Sequence, residues 1–175
     1  MEYLDIVDEQ GQPTGEIISR TLAHTKGIRH RTAHIWIVRR ENEHFQVLMQ
    51  KRAMSKDSFP GKYDTSSAGH IQAGDEPLAS GLRELAEELG IHAKPEDLAF
   101  AGCIHGNFAE EFHGKIFRDN EIAFVYVYQQ PVNIETLVLQ KEEVESVRWF
   151  DLEETYQNFQ NRNTQFCAPV PGLEV

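Results

Sequence analysis

Cysteine, positive charge and long apolar runs are all scarce in this chain of 175 residues. Its two cysteines, Cys103 and Cys167, are too few for a disulfide framework and lack the paired spacing of a zinc site. With 17 Lys and Arg against 28 Asp and Glu, the formal net charge is −11, which argues against a nucleic acid or an anionic membrane as the main partner. No stretch is apolar enough to span a membrane, and the N-terminus carries acids where a signal peptide needs positive charge. We therefore expect a cytoplasmic protein.

The length and the hydrophobic content favour one enzyme domain. A chain of 175 residues that is 40% hydrophobic can bury one good core and leaves no room for a second sizeable domain. Strand-like and helix-like patterns alternate, which predicts a mixed sheet with helices, a hairpin at the start and an irregular tail at residues 168–172. The expected strands are Tyr3–Val7, Ala33–Val38, Phe45–Met49, Phe100–His105, Ile122–Tyr128 and Ser146–Phe150, and a closing helix is expected from Leu152 to about Phe159.

The segment from Gly69 to Ile91 combines a glycine-bearing loop with a short acidic helix. Glu84, Glu87 and Glu88 crowd one side of that helix, where mutual repulsion costs a few tenths of a kcal/mol per pair, so a cation is expected to compensate. Oxygen ligands at this density suit Mg²⁺ or Mn²⁺, which also bridge phosphate oxygens. A solvated acidic face on an ordinary surface helix is the alternative at this point. The opposite side carries an apolar stripe at helical spacing, formed by Leu78, Leu82, Leu85 and Leu89.

The register of this segment resembles the Nudix box: Gly, five residues, Glu, seven residues, then Arg-Glu-aliphatic-any-Glu-Glu-any-Gly-aliphatic. Every fixed position matches except Asp75, which stands where the family has Glu and which suits a helix cap better than a metal ligand. The resemblance implies an α/β fold, the Nudix α/β/α sandwich with a mixed β-sheet, as a single domain over residues 1–175 with the box at 69–91. It also implies that Glu84, Glu87 and Glu88 hold Mg²⁺ or Mn²⁺, and that Arg83 pairs with a box glutamate and orients it.

A second set of residues resembles one branch of this family, type 1 isopentenyl-diphosphate isomerase, over most of the chain. Ala23-His24-Thr25, Arg29-His30 and Gly69-His70 are similar to the segments that carry its metal histidines, and Asp119-Asn120-Glu121 is similar to its Glu-Asn-Glu ligand pair. The resemblance implies a second site, for a divalent transition metal, because imidazoles with carboxylates suit Mn²⁺, Zn²⁺ or Fe²⁺ better than Mg²⁺. Since the chain has eight histidines, chance placement is the alternative. Five histidines are left outside this site: His34, His44, His92, His105 and His113.

The resemblance to the isomerase fails at its catalytic residue. The isomerase carries a catalytic cysteine immediately before this Gly-His pair, where Ala68 stands here, and its late tryptophan has no counterpart near residues 163–166. Moving a carbon–carbon double bond requires an acid and a base on opposite faces of the substrate, and a methyl group delivers no proton. Isomerases also tend to lose the Arg-Glu and Glu-Glu pairs that this chain keeps at residues 83–84 and 87–88. These differences favour diphosphatase chemistry on an isomerase-like scaffold.

Basic residues that could bind a phosphate chain are sparse. Arg52 and Lys56 precede the Phe59-Pro60-Gly61 turn, in a segment that resembles the diphosphate-holding segment of the isomerase. They are the candidates for substrate binding, since Arg offers a planar fork and Lys a point charge to phosphate oxygens. Surface solubility is the other explanation for both residues.

The sequence thus predicts a metal-dependent hydrolase that cleaves a diphosphate linkage in a small molecule, with a nucleoside diphosphate derivative as the favoured substrate. Glu87, Glu88 or Glu121 would take the proton from the attacking water, and Glu142 and Glu143 are weaker options. An isopentenyl-diphosphate isomerase-like enzyme and a non-catalytic nucleotide-binding sensor are the alternatives. We expect neither a nucleic acid nor a membrane as a partner, and a homodimer is left open.

Overall fold

The computed structural model describes residues 1–167, and the irregular tail expected at residues 168–172 lies outside them. Each of the expected strands falls within an observed strand, and the expected closing helix is the last helix. No helix of the described chain is both long and apolar enough to cross a membrane. The strands are β1 (Tyr3–Val7), β2 (Pro13–Ser19), β3 (His30–Glu41), β4 (His44–Arg52), β5 (Tyr63–Asp64), β6 (Ser67–His70), β7 (Leu98–Phe112), β8 (Lys115–Tyr128) and β9 (Val144–Asp151). The α-helices are α1 (Arg20–Lys26), α2 (Pro77–Leu89) and α3 (Leu152–Gln160).

A mixed sheet forms the middle layer of the fold. Its strand order is β5-β4-β3-β8-β7, with β6 added to β3 and β9 added to β4. The β3–β8 pair is parallel and the other pairs are antiparallel. Because side chains alternate along a strand, Ile35 and Ile37 of β3 pack with Leu85 and Leu89 of α2, whereas Trp36 enters a second core on the face that α3 covers. The α/β/α sandwich with a mixed β-sheet is therefore confirmed.

The helix α2 has the amphipathic character that its leucines predict. Leu85 and Leu89 are fully buried, and Leu78 and Leu82 are partly buried against the same core. The helix ends at Gly90, whose φ of 70° lies in the left-handed region that glycine adopts without steric cost. The packing of these leucines against the sheet therefore fixes the position of α2 and of its acidic residues.

One edge of β3 changes partners along its length, and this change opens the sheet. Residues 32–35 pair with β6 and residues 37–41 pair with β4, while β8 occupies the opposite edge. Ser66 lies where the two partners separate: its hydroxyl accepts a hydrogen bond from Ile37 N (2.8 Å) and donates one to the Leu48 carbonyl. Glu88 of α2 reaches into the gap, where it is hydrogen-bonded to Gln50 of β4. A helix on one face of the sheet thereby contributes to a site on the other face.

The β7–β8 hairpin is longer than the sequence predicted. The pairing continues from Leu98↔Tyr128 to Phe112↔Lys115 around a two-residue turn, His113-Gly114. Both turn residues have positive φ, 50° and 74°, as a type I′ turn requires. The extra length brings Phe117, Asp119 and Glu121 to the same cleft as His70, and α1, which the sequence did not predict, packs against β8.

Candidate active site

Glu88 is the buried member of the acidic set on α2, with 5% of its surface exposed. Its Oε2 accepts hydrogen bonds from Ser67 Oγ (2.7 Å), Gln50 Nε2 (3.0 Å) and Ala68 N (3.2 Å). Burial raises the pKa of Glu88 to about 7, although the Ser67 hydrogen bond opposes the rise. This carboxyl group is therefore fixed through one oxygen and titrates near neutral pH.

Arg83 lies beside Glu84, a glutamate of the box, as the pairing implied by the resemblance requires. Its Nη2 lies 3.2 Å from Glu84 Oε1, and its Nη1 lies 2.7 Å from Asp75 Oδ2. The helix-cap interpretation of Asp75 is wrong, because the N-cap of α2 is Glu76, which makes no side-chain cap hydrogen bond. Asp75 instead anchors the arginine that holds Glu84.

Gly69 is required by the close approach of Glu84 to the backbone of β6. A Cβ atom added at residue 69 would lie 2.2 Å from Glu84 Cδ and 2.5 Å from its Oε2. Glu84 is partly buried at this position, whereas Glu87 is exposed, and both line the same cleft. The glycine that opens the box therefore creates the space for one of its acids.

Three histidines converge from separate elements at this cleft. His24 lies on α1, His30 begins β3 and His70 ends β6. The ring centroid of His24 is 4.9 Å from that of His30 and 5.2 Å from that of His70. The Nε2 atoms of His24 and His70 are 3.0 Å apart, and one nitrogen from each of the three rings lies within 4.8 Å of the others. The structure thus brings together the three histidines that the isomerase resemblance singled out.

Among these rings, His30 has a nitrogen atom, Nε2, without a hydrogen-bond partner, whereas His24 Nε2 lies within hydrogen-bond distance of His70 Nε2. His30 Nδ1 donates to the Ile28 carbonyl (2.9 Å) and His24 Nδ1 to the Arg118 carbonyl (3.3 Å), so the Nε2 atom of each neutral ring carries no proton. Within residues 1–167, His30 Nε2 and Asp119 Oδ1 are buried atoms without a hydrogen-bond partner. Burial lowers the pKa of His24 to about 4 and also lowers the pKa values of the other two rings. Three neutral imidazoles, one with an unsatisfied nitrogen, beside a carboxylate with an unsatisfied oxygen fit a divalent transition metal.

Asp119 and Glu121 of β8 extend this cluster. Asp119 Oδ1 lies 3.6 Å from both His24 Nδ1 and His30 Nε2. Glu121 is in register with His30, and His30, Asp119 and Glu121 form a second group whose ligand atoms lie within 4.8 Å of one another. Burial, together with the neighbouring Glu121 carboxylate, raises the pKa of Asp119. Two overlapping groups of ligand atoms therefore share His30.

His34, which the sequence analysis left outside the site, lies beside Glu121. Its Nε2 is 3.5 Å from Glu121 Oε1, and only 6% of its surface is exposed. Burial alone would lower the pKa of His34, but the hydrogen bond and the charge of Glu121 raise it, and the same contact lowers the pKa of Glu121 against the effect of burial. Strand periodicity could have placed His34 in the site, since His30 and His34 lie four residues apart and therefore on one face of β3. The remaining four histidines are exposed, as expected: His44, His92, His105 and His113.

The basic residues of the cleft are each held by an acid. Arg52 Nη1 lies 2.9 Å from Asp64 Oδ2, and Lys56 Nζ pairs with Glu143. Arg20, at the start of α1, adds a cleft-lining cation that the sequence analysis missed. Glu143, one of the weaker candidates for the base, is therefore already engaged by Lys56.

These groups line one cleft of ≈ 390 Å³. The acids of α2 line it together with an aromatic wall, defined as Phe59, Phe108 and Phe117, which lies on the loop after β4 and on the β7–β8 hairpin. Phe117 also stacks on His24, with ring centroids 4.2 Å apart and an interplanar angle of 18°. Cys167 lines the cleft as well, and burial raises the pKa of its thiol well above the ordinary value. Of the site residues that the sequence predicts, the fully buried His30 and the partly buried Arg83 do not line the cleft, and the others do.

Comparisons with known proteins agree with this architecture. The family model of the NUDIX domain matches residues 28–168. An uncharacterized Nudix hydrolase of Clostridium acetobutylicum is 40% identical over 161 residues, which cover 92% of this chain and 75% of that protein. The crystal structure of DR0079 from Deinococcus radiodurans superposes with a TM-score of 0.65 at 20% identity, covering 91% of this chain and 90% of that one.

The isomerase branch is also among the relatives. Isopentenyl-diphosphate Delta-isomerase of Streptomyces avermitilis is 30% identical over 129 residues, which cover 74% of this chain and 63% of that protein. The sequence resemblance to both the box and the isomerase is therefore confirmed. The match to the family model spans most of the chain, and the chain belongs to the Nudix hydrolase family.

Proposed function

We propose that this protein hydrolyses a diphosphate linkage in a small molecule with the help of Mg²⁺ or Mn²⁺, and that its substrate is a nucleoside diphosphate derivative. The proposal rests on the presence of acidic and basic side chains in one cleft: Glu84, Glu87 and Glu88 line the same cleft as Arg52 and Lys56. Carboxylates suit a hard divalent cation, and the two basic side chains suit phosphate oxygens. Both requirements for binding a metal-complexed diphosphate are met within one cleft.

The box acids would have two different roles, metal binding and proton acceptance. A bound divalent cation would neutralise phosphate charge and acidify the attacking water. Glu84 and Glu87 would supply ligands to that cation, while Glu88 suits acceptance of the water's proton, because its pKa of about 7 lies near neutral pH. Glu121 is the weaker proton acceptor, since His34 lowers its pKa, and it suits metal binding instead.

We assign a second divalent transition metal to the histidine cluster. The support is the pair of buried unsatisfied atoms, His30 Nε2 and Asp119 Oδ1, in the middle of the converging rings. A buried polar atom without a partner is costly, so a ligand that satisfies both atoms at once would be favoured. The full ligand set would be His24, His30, His70, Asp119 and Glu121.

The aromatic wall supports a nucleoside as the organic part of the substrate. Phe59, Phe108 and Phe117 line the same cleft as the box acids, and flat nucleobases stack on aromatic rings. The cleft volume of ≈ 390 Å³ lies within the range usual for small-molecule sites. Arg52, Lys56 and the box acids would then fix the diphosphate while the base contacts the rings.

Isomerisation of an isoprenoid diphosphate is the second candidate, because the histidine cluster converges as the isomerase resemblance implied. Ala68 opposes it: this residue lines the cleft in register with His34 and offers only a methyl group. A nucleotide sensor without turnover is opposed by the three glutamates that the box retains in the cleft, Glu84, Glu87 and Glu88.

A panel of diphosphates in Mg²⁺ and in Mn²⁺ tests the proposal, with ³¹P NMR of the products in ¹⁸O-labelled water. The panel should contain nucleoside diphosphates, nucleoside diphosphate sugars and isopentenyl diphosphate, and Glu88→Gln serves as the matched control. We expect metal-dependent cleavage of a nucleoside derivative with one ¹⁸O in one phosphate product, and almost none with the variant. Conversion of isopentenyl diphosphate alone, or binding of nucleotides without turnover, would overturn the proposal in favour of the isomerase or the sensor.

A further inference from the structure

A buried series of polar contacts connects the phosphate-binding side of the cleft to Glu121. Arg52 Nη1 lies 2.9 Å from Asp64 Oδ2, and Asp64 Oδ1 accepts hydrogen bonds from Thr65 N (2.7 Å) and Thr65 Oγ1 (3.3 Å). Thr65 Oγ1 lies 3.5 Å from His34 Nδ1, and His34 Nε2 lies 3.5 Å from Glu121 Oε1. The imidazole of His34 is therefore contacted at both nitrogens, by Thr65 on one side and Glu121 on the other.

This part of the series is shielded from water. The exposed fraction is 0% for Thr65, 6% for His34 and 9% for Glu121. Polar contacts in such surroundings are stronger than in water, and a ring that turned away would leave buried atoms unsatisfied. The orientation of the His34 ring is thus determined by its two neighbours.

We infer that His34 is a positioning residue for Glu121: its Nε2 atom holds the carboxylate in the orientation that brings it within ligand distance of His30 and Asp119. This inference rests on the metal-ligand role proposed for Glu121. Groups that hydrogen-bond to metal ligands keep those ligands oriented, and their loss commonly weakens metal binding or activity about 10–100-fold. The competing explanation is that His34 merely fills space in the buried face of β3.

Two substitutions separate these explanations, because each keeps a polar group at the position of only one of the two ring nitrogens. The amide of His34→Gln lies near the former Nε2 position and keeps a donor for Glu121. The shorter His34→Asn places its amide near the former Nδ1 position and keeps only the Thr65 contact. His105→Asn is the matched control, since His105 is an exposed histidine on a strand of the same sheet.

Calorimetric titration of the metal-stripped protein with Mn²⁺ is the primary measurement. We expect His34→Asn to weaken Mn²⁺ binding about 10–100-fold, with His34→Gln closer to the wild type and His105→Asn unchanged. In turnover assays His34→Asn should lower kcat with little change in KM, because Arg52 and Lys56 keep their partners. The inference would be wrong if both His34 variants lost Mn²⁺ affinity equally and in proportion to their lowered melting temperatures. It would also be wrong if His34→Asn lost no Mn²⁺ affinity. In either case His34 would only fill space in the core.

A double-mutant cycle with Glu121→Gln completes the test. If His34 acts through Glu121, His34→Asn should weaken Mn²⁺ binding little further once Glu121 is replaced, whereas an equal additional loss would contradict the inference. The metal titration needs no turnover, so a wild-type protein that cleaves no diphosphate would overturn the proposed reaction while still testing the role of His34. Conversely, hydrolysis with an unaffected His34→Asn variant would overturn only this inference.

Discussion

Gly69→Ala tests whether Glu84 must lie against the backbone of β6. The added methyl would lie 2.2 Å from Glu84 Cδ, whereas carbon atoms pack at about 3.5–4.0 Å, so the carboxylate must move by more than about 1 Å. That movement would break the contact between Glu84 and Arg83 and displace a proposed metal ligand. A displacement of this size costs about 100-fold in rate. The backbone of Gly69 lies outside the left-handed region, so alanine introduces no strain and the fold should persist.

Steady-state kinetics with the best panel substrate, repeated over a range of Mg²⁺ concentrations, should show this loss of kcat and a higher Mg²⁺ requirement. Thermal unfolding by circular dichroism checks that the fold is intact. Gly81→Ala is the control within the same box: its new Cβ would lie 3.3 Å from Ile35 Cδ1 and touch no carboxylate, and alanine in a helix interior is favoured over glycine by about 1 kcal/mol. Wild-type kcat and Mg²⁺ dependence in Gly69→Ala would refute the requirement for Glu84 at this position.

Four further outcomes follow from the site. Glu87→Gln and Glu88→Gln should each lower kcat about 100-fold or more at limiting Mg²⁺ without loss of the circular dichroism spectrum; near-normal turnover of both would exclude the box as the metal site. In the metal-free protein, the contribution of Glu88 to the free energy of unfolding should fall as pH rises from 4.5 to about 7, because unfolded Glu88 releases its proton over this range and folded Glu88 retains it, whereas the buried histidines His24, His30 and His70 act in the opposite direction. Urea unfolding of the wild type and of Glu88→Gln isolates this contribution as the difference between the two proteins, and a difference that does not change with pH would contradict a buried carboxyl group. Metal analysis should find fewer divalent ions per chain in the triple variant His24→Ala, His30→Ala, His70→Ala; an unchanged stoichiometry would remove the second site. Isopentenyl diphosphate incubated in heavy water should gain no deuterium, and exchange that depends on Glu121 would favour the isomerase.

The parts of the fold that the sequence predicted are those with a strong local pattern. Leu85 and Leu89 mark the buried side of α2 by spacing alone, and the apolar strand runs locate the centre of the sheet. The far end of the β7–β8 hairpin was missed because most of its residues are exposed or only partly buried, and apolar and polar residues do not alternate regularly there. The helix α1 has only seven residues, too few for a periodic signal.

The candidate site divides in the same way between local and long-range information. The box fixed the register of Glu84 and Glu88 because its residues are adjacent in sequence. The contact between His34 and Glu121 depends on the parallel pairing of β3 with β8, which no short stretch of sequence specifies. Arg20 was missed for a related reason, since its place in the cleft depends on the unpredicted α1.

The two chemistries compatible with this scaffold differ in what they require at residue 68. β6 sets Ala68 in register with His34, and the backbone amide of Ala68 donates to Glu88, so this position lies between the box acids and the His34–Glu121 pair. Isomerisation needs a proton donor in addition to a base, and the methyl of Ala68 supplies none. The proposed hydrolysis would need one proton acceptor beside the attacking water, and Glu88, with a pKa of about 7 in the same cleft, is the candidate for that role. If both proposals hold, the methyl group of Ala68 is the single side chain that would favour attack at phosphorus over double-bond migration.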